Sequence, residues 1–257
     1  MCLALLTGCF VVSCATDKAP RPKASKSASA KSAFEDAQDA FEAGNYLESV
    51  RSFQQVKSRY PYSVYAPLAE LGVADSHFAL SKYAEAAEGY RVFVRFHPHH
   101  EKVVYARFRI GESYMEQMPS NWFFMPPAYE RDLESVKDAL RELQAFLAAY
   151  GESPYAARAR KMVGVCRKRL GDHELYVARF YVERKRPSSA ISRLERVIRD
   201  YEDVGLAGEA LFLLGTVYRD ALGAPDKARG AFQRILDQYP ADLRAEDAKL
   251  ALEALGS

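Results

Sequence analysis

A helical motif recurs five times along this chain of 257 residues, and it constrains the fold more than any other feature. Its first copy, GNYLESVRSFQQVKSRYP, covers residues 44–61. Counted from Tyr46, the motif has a small residue at offset three, a bulky one at seven, an apolar one at ten and a ring at fourteen. The matching positions are Ser49, Phe53, Val56 and Tyr60; Ala86, Tyr90, Phe93 and His97; Ala139, Leu143, Phe146 and Tyr150; Ala190, Leu194, Val197 and Tyr201; and Ala228, Phe232, Ile235 and Tyr239. Agreement of five copies at four positions indicates a true internal repeat.

The spacing of the motif predicts an amphipathic helix that packs against other helices. Steps of three, four and three residues place the shared positions on one side of a 3.6-residue helix. A small residue lets a second helix approach closely, and a bulky residue fills the space beside it. Each copy needs a preceding partner helix, as Ala37–Phe41 supplies for the first. The pattern is that of the tetratricopeptide repeat, so we predict an all-α superhelix of about five helix-turn-helix repeats.

The sequence also predicts where each repeat begins and ends. The predicted repeats cover residues 33–61, 66–98, 103–150, 172–201 and 206–240, and residues 241–255 form a closing helix. These elements make up one predicted domain, residues 33–257. From Ser153–Pro154, a suitable helix start, to about Lys185 the pattern has no convincing stop, so we expect one long helix to serve repeats three and four.

A proline-rich insertion, MPSNWFFMPPAYER, interrupts the third repeat at residues 118–131. Its prolines exclude a regular helix. The insertion carries three large aromatic residues in a row, Trp122, Phe123 and Phe124. An apolar loop of this kind either packs back on the repeats or is exposed for a partner, and both alternatives stay open.

The N-terminus has the character of a lipoprotein signal peptide. Residues 2–13 are an apolar run too short to span a bilayer. The run ends near two cysteines, and both resemble the acylation site of a lipobox. Cys9 is closer to the motif, but Cys14 leaves a polar tether behind it, so we predict a signal peptide at residues 1–13 and a lipid on Cys14, with Cys9 as the alternative. An ordinary secretory signal with incidental cysteines is also open. Residues 14–32 lack bulky apolar residues, which predicts a disordered tether.

Composition and motifs argue against several function classes. The formal net charge is only +2, without a basic run interleaved with aromatic residues, so no nucleic-acid partner is predicted. Phosphate-binding, hydrolase and zinc-protease motifs are absent, and we predict neither an enzyme nor a cofactor. His97-Pro98-His99-His100 could bind a metal, but proline interrupts the spacing and a solvated turn is favoured, so no metal site is predicted. Cys166 is expected to be a buried small apolar residue.

Several segments together resemble the BamD family, the lipoprotein subunits of the outer membrane β-barrel assembly complex. They are the lipobox with its tether and residues 44–78, 90–118, 123–132 and 173–203. The resemblance covers about residues 33–240. It implies a protein held by its N-terminal lipid on the periplasmic face of the outer membrane. It also implies two protein partners, unfolded outer membrane protein precursors at the N-terminal repeats and the periplasmic domains of the barrel subunit at the C-terminal repeats.

By position in the family pattern, the resemblance implies partner-binding residues. Tyr62 and Tyr65 would lie by the N-terminal groove, and Arg193 would contact the barrel subunit. Trp122, Phe123 and Phe124 are further candidates. The alternatives are packing between repeats for the tyrosines and a surface ion pair for Arg193.

Two other functions are considered beside the assembly scaffold. A periplasmic tetratricopeptide-repeat adaptor of the Tol or cell-division system would share the repeat, but such proteins tend to carry a coiled coil, and no heptad run is visible here. A metal-binding or hydrolytic envelope enzyme would rest on residues 97–100 alone.

Overall fold

The computed structural model describes residues 26–118 and 133–256, and every regular element in these ranges is helical. The α-helices are α1 (Lys26–Glu42), α2 (Tyr46–Arg59), α3 (Tyr65–Ala79), α4 (Tyr83–Phe96), α5 (Val103–Glu116), α6 (Glu134–Tyr150), α7 (Ala156–Glu183), α8 (Pro187–Asp200), α9 (Ala207–Thr216), α10 (Pro225–Gln238) and α11 (Ala245–Gly256). A 3₁₀ turn (Glu202–Val204) precedes α9, and a π-helical turn (Val217–Ala221) follows it. Each helix packs chiefly on its neighbours in sequence, which is the architecture of a helical-repeat superhelix.

The repeated positions form the core, as their spacing predicts. The residues at offsets three, seven and ten are buried in all five copies of the motif. Ser49 is the one polar member, and its hydroxyl lies 2.9 Å from the hydroxyl of Ser76 on α3. A buried hydroxyl needs such a partner, so the pair is compatible with the tight approach of α2 and α3.

Glycines in the neighbouring helices explain how the bulky residue at offset seven is accommodated. A Cβ atom added at any of three glycines would lie within 2.5–2.6 Å of that residue's side chain. The three pairs are Phe53 with Gly72, Leu143 with Gly111, and Phe232 with Gly215. In these repeats the large side chain therefore occupies the space that the missing Cβ leaves.

The single long helix predicted between repeats three and four is confirmed as α7, which has 28 residues. Its first half packs on α6 through Ala159 and Cys166, and its second half packs near α8 through Leu175 and Ala178. Cys166 is buried as expected, and burial raises the pKa of its thiol to about 11. The helix starts at Ala156 and not at Pro154, because Ser153 and Pro154 belong to the turn in which the Ala156 amide donates to the Ser153 carbonyl.

Two glycines of α7 allow the effect of helix propensity on stability to be compared with the effect of packing. A Cβ at Gly164 would meet nothing within 4 Å, whereas one at Gly171 would lie 2.5 Å from Leu206 and 3.2 Å from Tyr201. We expect Gly164→Ala to stabilise the protein by about 0.5–1 kcal/mol. Gly171→Ala should destabilise it by about 1–3 kcal/mol, because the turn before α9 must move. Urea unfolding of both variants measures the difference, and equal shifts of the same sign would contradict it.

Two predicted boundaries are corrected by the helix ends. The sequence predicts a tether that reaches residue 32, but α1 begins at Lys26 and Ala30 is buried. Alanine has the highest helix propensity, so a segment of alanine, lysine and serine joins the helix once part of it can pack. The closing helix begins at Ala245 and not at residue 241. There Asp242 forms a turn, accepting hydrogen bonds from the amides of Arg244 and Ala245.

Candidate functional site

A pocket of about 330 Å³ lies between α1 and α3, at the N-terminal end of the superhelix. We call it the α1–α3 pocket. Most of its lining comes from the first helix of repeats one and two. The lining residues are Phe34, Gln38, Phe41 and Glu42 of α1, Phe53 of α2, Leu68, Leu71, Gly72 and Asp75 of α3, and Lys102 just before α5. The lining therefore combines apolar side chains with three charged residues, Glu42, Asp75 and Lys102.

Aromatic contacts hold the apolar wall of the pocket in place. The Phe34 ring lies 5.5 Å from the Phe53 ring and 5.4 Å from the Tyr65 ring, measured between centroids. The Phe41 ring lies 5.3 Å from that of Tyr46 at the start of α2. Rings at these separations attract one another beyond the area they bury. The wall is thus built from side chains that are already packed before any ligand binds.

Asp75 is an acidic residue of the pocket lining, and its carboxylate is hydrogen-bonded to side chains in the protein interior. Its Oδ1 atom accepts hydrogen bonds of 2.6 Å from the hydroxyls of Tyr90 and Tyr105. Burial raises the pKa of the Asp75 carboxyl above its usual range, although both hydrogen bonds and the charge of Arg109 act in the opposite direction. The Asp75 carboxylate is therefore hydrogen-bonded to side chains in the protein interior. Lys102 is the positively charged residue among those that line the pocket.

Behind Asp75 lies a buried charge network that connects repeats two and three. The guanidinium of Arg109 stacks 3.8 Å from the centroid of the Phe78 ring and donates to Glu112 over 3.1 Å. Glu112 is almost completely buried, and Arg158 of α7 forms a second ion pair with it. These contacts link α3, α5 and α7, so the network fixes how the N-terminal repeats are set against the long helix.

Tyr62 and Tyr65 lie at different places relative to the pocket, and neither lines it. Tyr65 is half-buried against Phe34, so packing between repeats, the alternative considered for it, is observed. Tyr62 is fully exposed in the turn between α2 and α3. A direct contact of either tyrosine with a partner stays a prediction.

Arg193 takes part in an ion pair on the second half of the chain. Its Nη1 donates to Glu174 Oε2 over 2.9 Å, and Arg196 donates to the other carboxylate oxygen over 3.1 Å. Glu174 is buried, while 33% of the Arg193 side chain remains exposed. The ion-pair alternative is thus observed, and a direct contact of Arg193 with a partner stays a prediction.

Several predicted residues lie outside the described ranges. They are Cys9, Cys14, Trp122, Phe123 and Phe124. For these residues the lipid attachment and the partner contacts stay predictions.

Residues 97–100 form the predicted turn between α4 and α5. His97 Nε2 lies 2.9 Å from Glu70 Oε2, and the same carboxyl group accepts a hydrogen bond from Lys57 over 3.0 Å. Within residues 26–118 and 133–256, no three potential metal ligands come together. In those same ranges, no helix has the length and apolar content that a bilayer crossing requires.

Among the pocket residues, the sequence pattern points to Phe41, in the partner helix of the first repeat, and to Phe53, the bulky residue of the first motif copy. Phe34, Leu68 and Lys102 sit outside the repeated offsets of the second helices, which dominated the pattern. A signal was nevertheless present. Phe34 and Phe41 are seven residues apart and Leu68 and Leu71 are three apart, spacings that place each pair on one side of its helix.

Comparison with known proteins identifies what the chain is similar to. Residues 26–232 match the family model YfiO, described as an outer membrane lipoprotein. The outer membrane protein assembly factor BamD of Vibrio cholerae is 27% identical over 195 residues, which cover 75% of this chain and 80% of that protein. BamD of Neisseria meningitidis serogroup A is 25% identical over 215 residues, covering 80% of this chain and 78% of that protein.

Similar solved structures are also helical-repeat proteins. The TPR2AB domain of yeast Sti1, solved in a pHSP90 complex, aligns with a TM-score of 0.48 and 13% identity over 88% of this chain and 83% of that one. A tetratricopeptide-repeat protein of Thermus thermophilus aligns with a TM-score of 0.39 and 16% identity, covering 88% of this chain and 98% of that one. At these scores the likeness adds nothing to what the helices themselves show.

Proposed function

Because this chain belongs to the YfiO family of outer membrane lipoproteins, we propose that it is a lipid-anchored scaffold for outer membrane protein assembly. The relatives named BamD, outer membrane protein assembly factors, support this role. We place the protein on the periplasmic face of the outer membrane, attached through Cys14 or alternatively Cys9. Its action would be binding and not catalysis. An anchor of this kind raises the local concentration of the scaffold near the assembly machinery.

The α1–α3 pocket is the observation that supports binding of unfolded precursors. Its volume suits a large apolar side chain, and preformed pockets with apolar walls and a few polar groups are typical ligand sites. The rings of Phe34 and Phe41 would contact the inserted side chain. Lys102 would interact with a carboxylate or a carbonyl of the same segment. Unfolded barrel proteins expose such apolar side chains before they insert.

Placing a charge in the pocket should weaken precursor binding. We expect Leu68→Lys to raise the Kd for a urea-denatured outer membrane barrel protein, freshly diluted, by about tenfold or more, because the lysine charge opposes burial of an apolar side chain. Fluorescence anisotropy of the labelled barrel protein measures the Kd. Leu47→Lys is the matched control, since Leu47 is exposed on α2 and does not line the pocket. Equal Kd values for both variants would contradict precursor binding in this pocket.

The exposed part of Arg193 supports docking of the barrel subunit on the C-terminal repeats. Glu174 holds one side of the guanidinium, so the group is oriented before a partner arrives. Arginine presents further donors in a fixed plane that matches a carboxylate, and such residues often dominate interfaces. A carboxylate on the periplasmic domains of the barrel subunit would accept hydrogen bonds from these further donors of Arg193.

Removing Arg193 should reduce recovery of the barrel subunit in an affinity pull-down from detergent-solubilised envelopes. We expect Arg193→Ala to lower that recovery about tenfold, as loss of an interface arginine can cost 2 kcal/mol or more. Arg196→Ala is the matched control because Arg196 pairs with the same carboxylate. Mass spectrometry identifies the recovered proteins. Recovery of Tol or peptidoglycan-bound proteins without any barrel subunit would overturn the assembly role and favour the envelope adaptor.

A further inference from the structure

The most exposed large apolar side chains of the described residues are concentrated at one end of the helices. Tyr62 is 101% exposed, Val64 75% and Phe96 65%. Leu243, at 98%, lies in the corresponding turn between α10 and α11, whereas Leu47, at 62%, lies at the opposite end of α2, near its start. We call residues 57–64 and 95–102 together the turn edge. Apolar groups clustered on a surface in this way mark an interaction site.

Contacts around Glu70 show that the two parts of the turn edge are neighbours. Glu70 lies in the second turn of α3 and binds Lys57 near the end of α2 over 3.0 Å. It also lies 2.9 Å from His97, at the end of α4. The ends of α2 and α4 therefore flank the start of α3. Tyr62, Val64 and Phe96 are consequently presented on one side of the molecule.

The turn edge also carries positive charge beside its aromatic residues. The guanidinium of Arg59 lies 5.7 Å from the centroid of the Tyr60 ring, and that of Arg95 lies 5.0 Å from the Phe96 ring. Residues 57–64 contain no acidic side chain, and Glu101 is the single one in 95–102. Aromatic rings, aliphatic groups and exposed arginines together match the interface of a membrane with anionic headgroups.

The N-terminal end of α1 lies at the same edge. Phe34, in the third turn of α1, packs against Tyr65 at the start of α3. Residues 26–33 of α1 therefore continue beyond the start of α3, by about 12 Å at the rise of an α-helix. From Cys14 to Lys26 the chain can span at most about 40 Å. A lipid on Cys14 would thus hold this end of the molecule close to the bilayer.

We propose that the turn edge lies on the lipid surface, with Tyr62, Val64 and Phe96 in the headgroup region and Arg59 and Arg95 on anionic lipids. This inference rests on the proposed lipid attachment. A lipid anchor and a surface contact reinforce each other, because a second weak interaction becomes intramolecular once the first is made. The contact would orient the repeats so that the α1–α3 pocket is held at a set distance from the membrane.

Site-specific fluorescence tests the orientation of the acylated full-length protein. The protein is reconstituted in vesicles of phosphatidylethanolamine and phosphatidylglycerol that contain spin-labelled lipid. A bimane label is placed at Tyr62→Cys or Phe96→Cys, and at Leu47→Cys or Leu222→Cys as controls from the opposite ends of the helices. Wild-type protein gives the background labelling, to which the buried Cys166 contributes little. We expect the spin-labelled lipid to quench bimane fluorescence at Tyr62→Cys and Phe96→Cys about threefold or more strongly than at the two control positions, Leu47→Cys and Leu222→Cys. Equal quenching at both ends would overturn the proposal.

Vesicle sedimentation of the chain from residue 15 onward tests the surface without any lipid attachment. We expect a Tyr62→Ser, Val64→Ser, Phe96→Ser variant to bind these vesicles about tenfold more weakly than the unsubstituted chain. A Leu47→Ser, Leu222→Ser variant should bind as the unsubstituted chain does. All these residues are exposed, so folding is retained, and circular dichroism verifies it. Equal binding by the two variants would overturn the proposal.

The outcomes separate this inference from the proposed anchor. Mass spectrometry of the protein from envelopes shows whether Cys14 or Cys9 is acylated, and absence of acylation would overturn the anchor alone. Vesicle sedimentation of the unacylated chain would still test whether the turn edge binds the lipid surface. Shielding of the labels by a denatured barrel protein, but not by vesicles, would assign the surface to a protein partner and overturn the lipid contact.

Discussion

Replacing Glu112 by alanine is expected to lower the free energy of unfolding by about 3–5 kcal/mol. Glu112 is 1% exposed and is the carboxylate on which Arg109 and Arg158 converge. Without it, Arg109 would remain largely buried among the rings of Phe78 and Tyr90 with only the more distant Asp75 as an anionic neighbour. A buried charge that loses its partner is far more costly than a surface ion pair.

Urea unfolding followed by circular dichroism measures the effect of the Glu112 substitution. Glu116→Ala is the control, since Glu116 lies on the same helix, one turn further on, and is exposed. That change should stay within about 0.5 kcal/mol of the wild-type protein. A similarly small effect of Glu112→Ala would show that the network contributes little to the joining of repeats two and three.

Replacing Phe232 by alanine is the second change with a large expected effect, a loss of about 3–5 kcal/mol. Phe232 is completely buried and occupies offset seven of the fifth repeat, where its ring fills the space beside Gly215. Gly215→Ala alone should cost about 1–3 kcal/mol, because the new Cβ would lie 2.5 Å from the ring.

The double variant tests whether the two positions form one packing unit. The alanine at 215 would partly fill the cavity left by the lost ring, so the combined loss should be smaller than the sum of the single losses by about 0.5 kcal/mol or more. A double-mutant cycle of unfolding free energies measures this coupling. Strict additivity would mean that glycine is present at 215 for a reason other than the ring.

Most of the helical framework could be predicted from local spacing. The burial of Phe53, Tyr90 and Leu143 follows from a 3.6-residue period, which is visible in any stretch of about 15 residues. The long helix α7 was predictable for the same reason, since no stop signal interrupts it. The N-terminal start of α1 was not, because its alanine, lysine and serine residues have the composition of a tether and only packing decides that they are helical.

The candidate site was less predictable than the framework. Tyr65 and Arg193 were singled out by family position, but the ring that Tyr65 meets and the carboxylate that Arg193 binds lie 31 and 19 residues away in sequence. Asp75, Tyr105 and Arg109 gave no pattern at all, since each is an unremarkable polar residue of a helix. Their meeting depends on how three separate helices are set against one another.

The sequence by itself determined the repeat, its register and the buried side of each second helix, because hydrogen bonds and apolar periodicity within one helix are local. The tertiary structure alone decided the α1–α3 pocket, the network around Glu112 and the contacts of Glu70 that bring the ends of α2 and α4 to the start of α3. These features arise where side chains of different repeats meet. Their distances follow from the angle and separation at which helices pack, which small residues such as Gly72 and Gly111 set and which no single segment encodes.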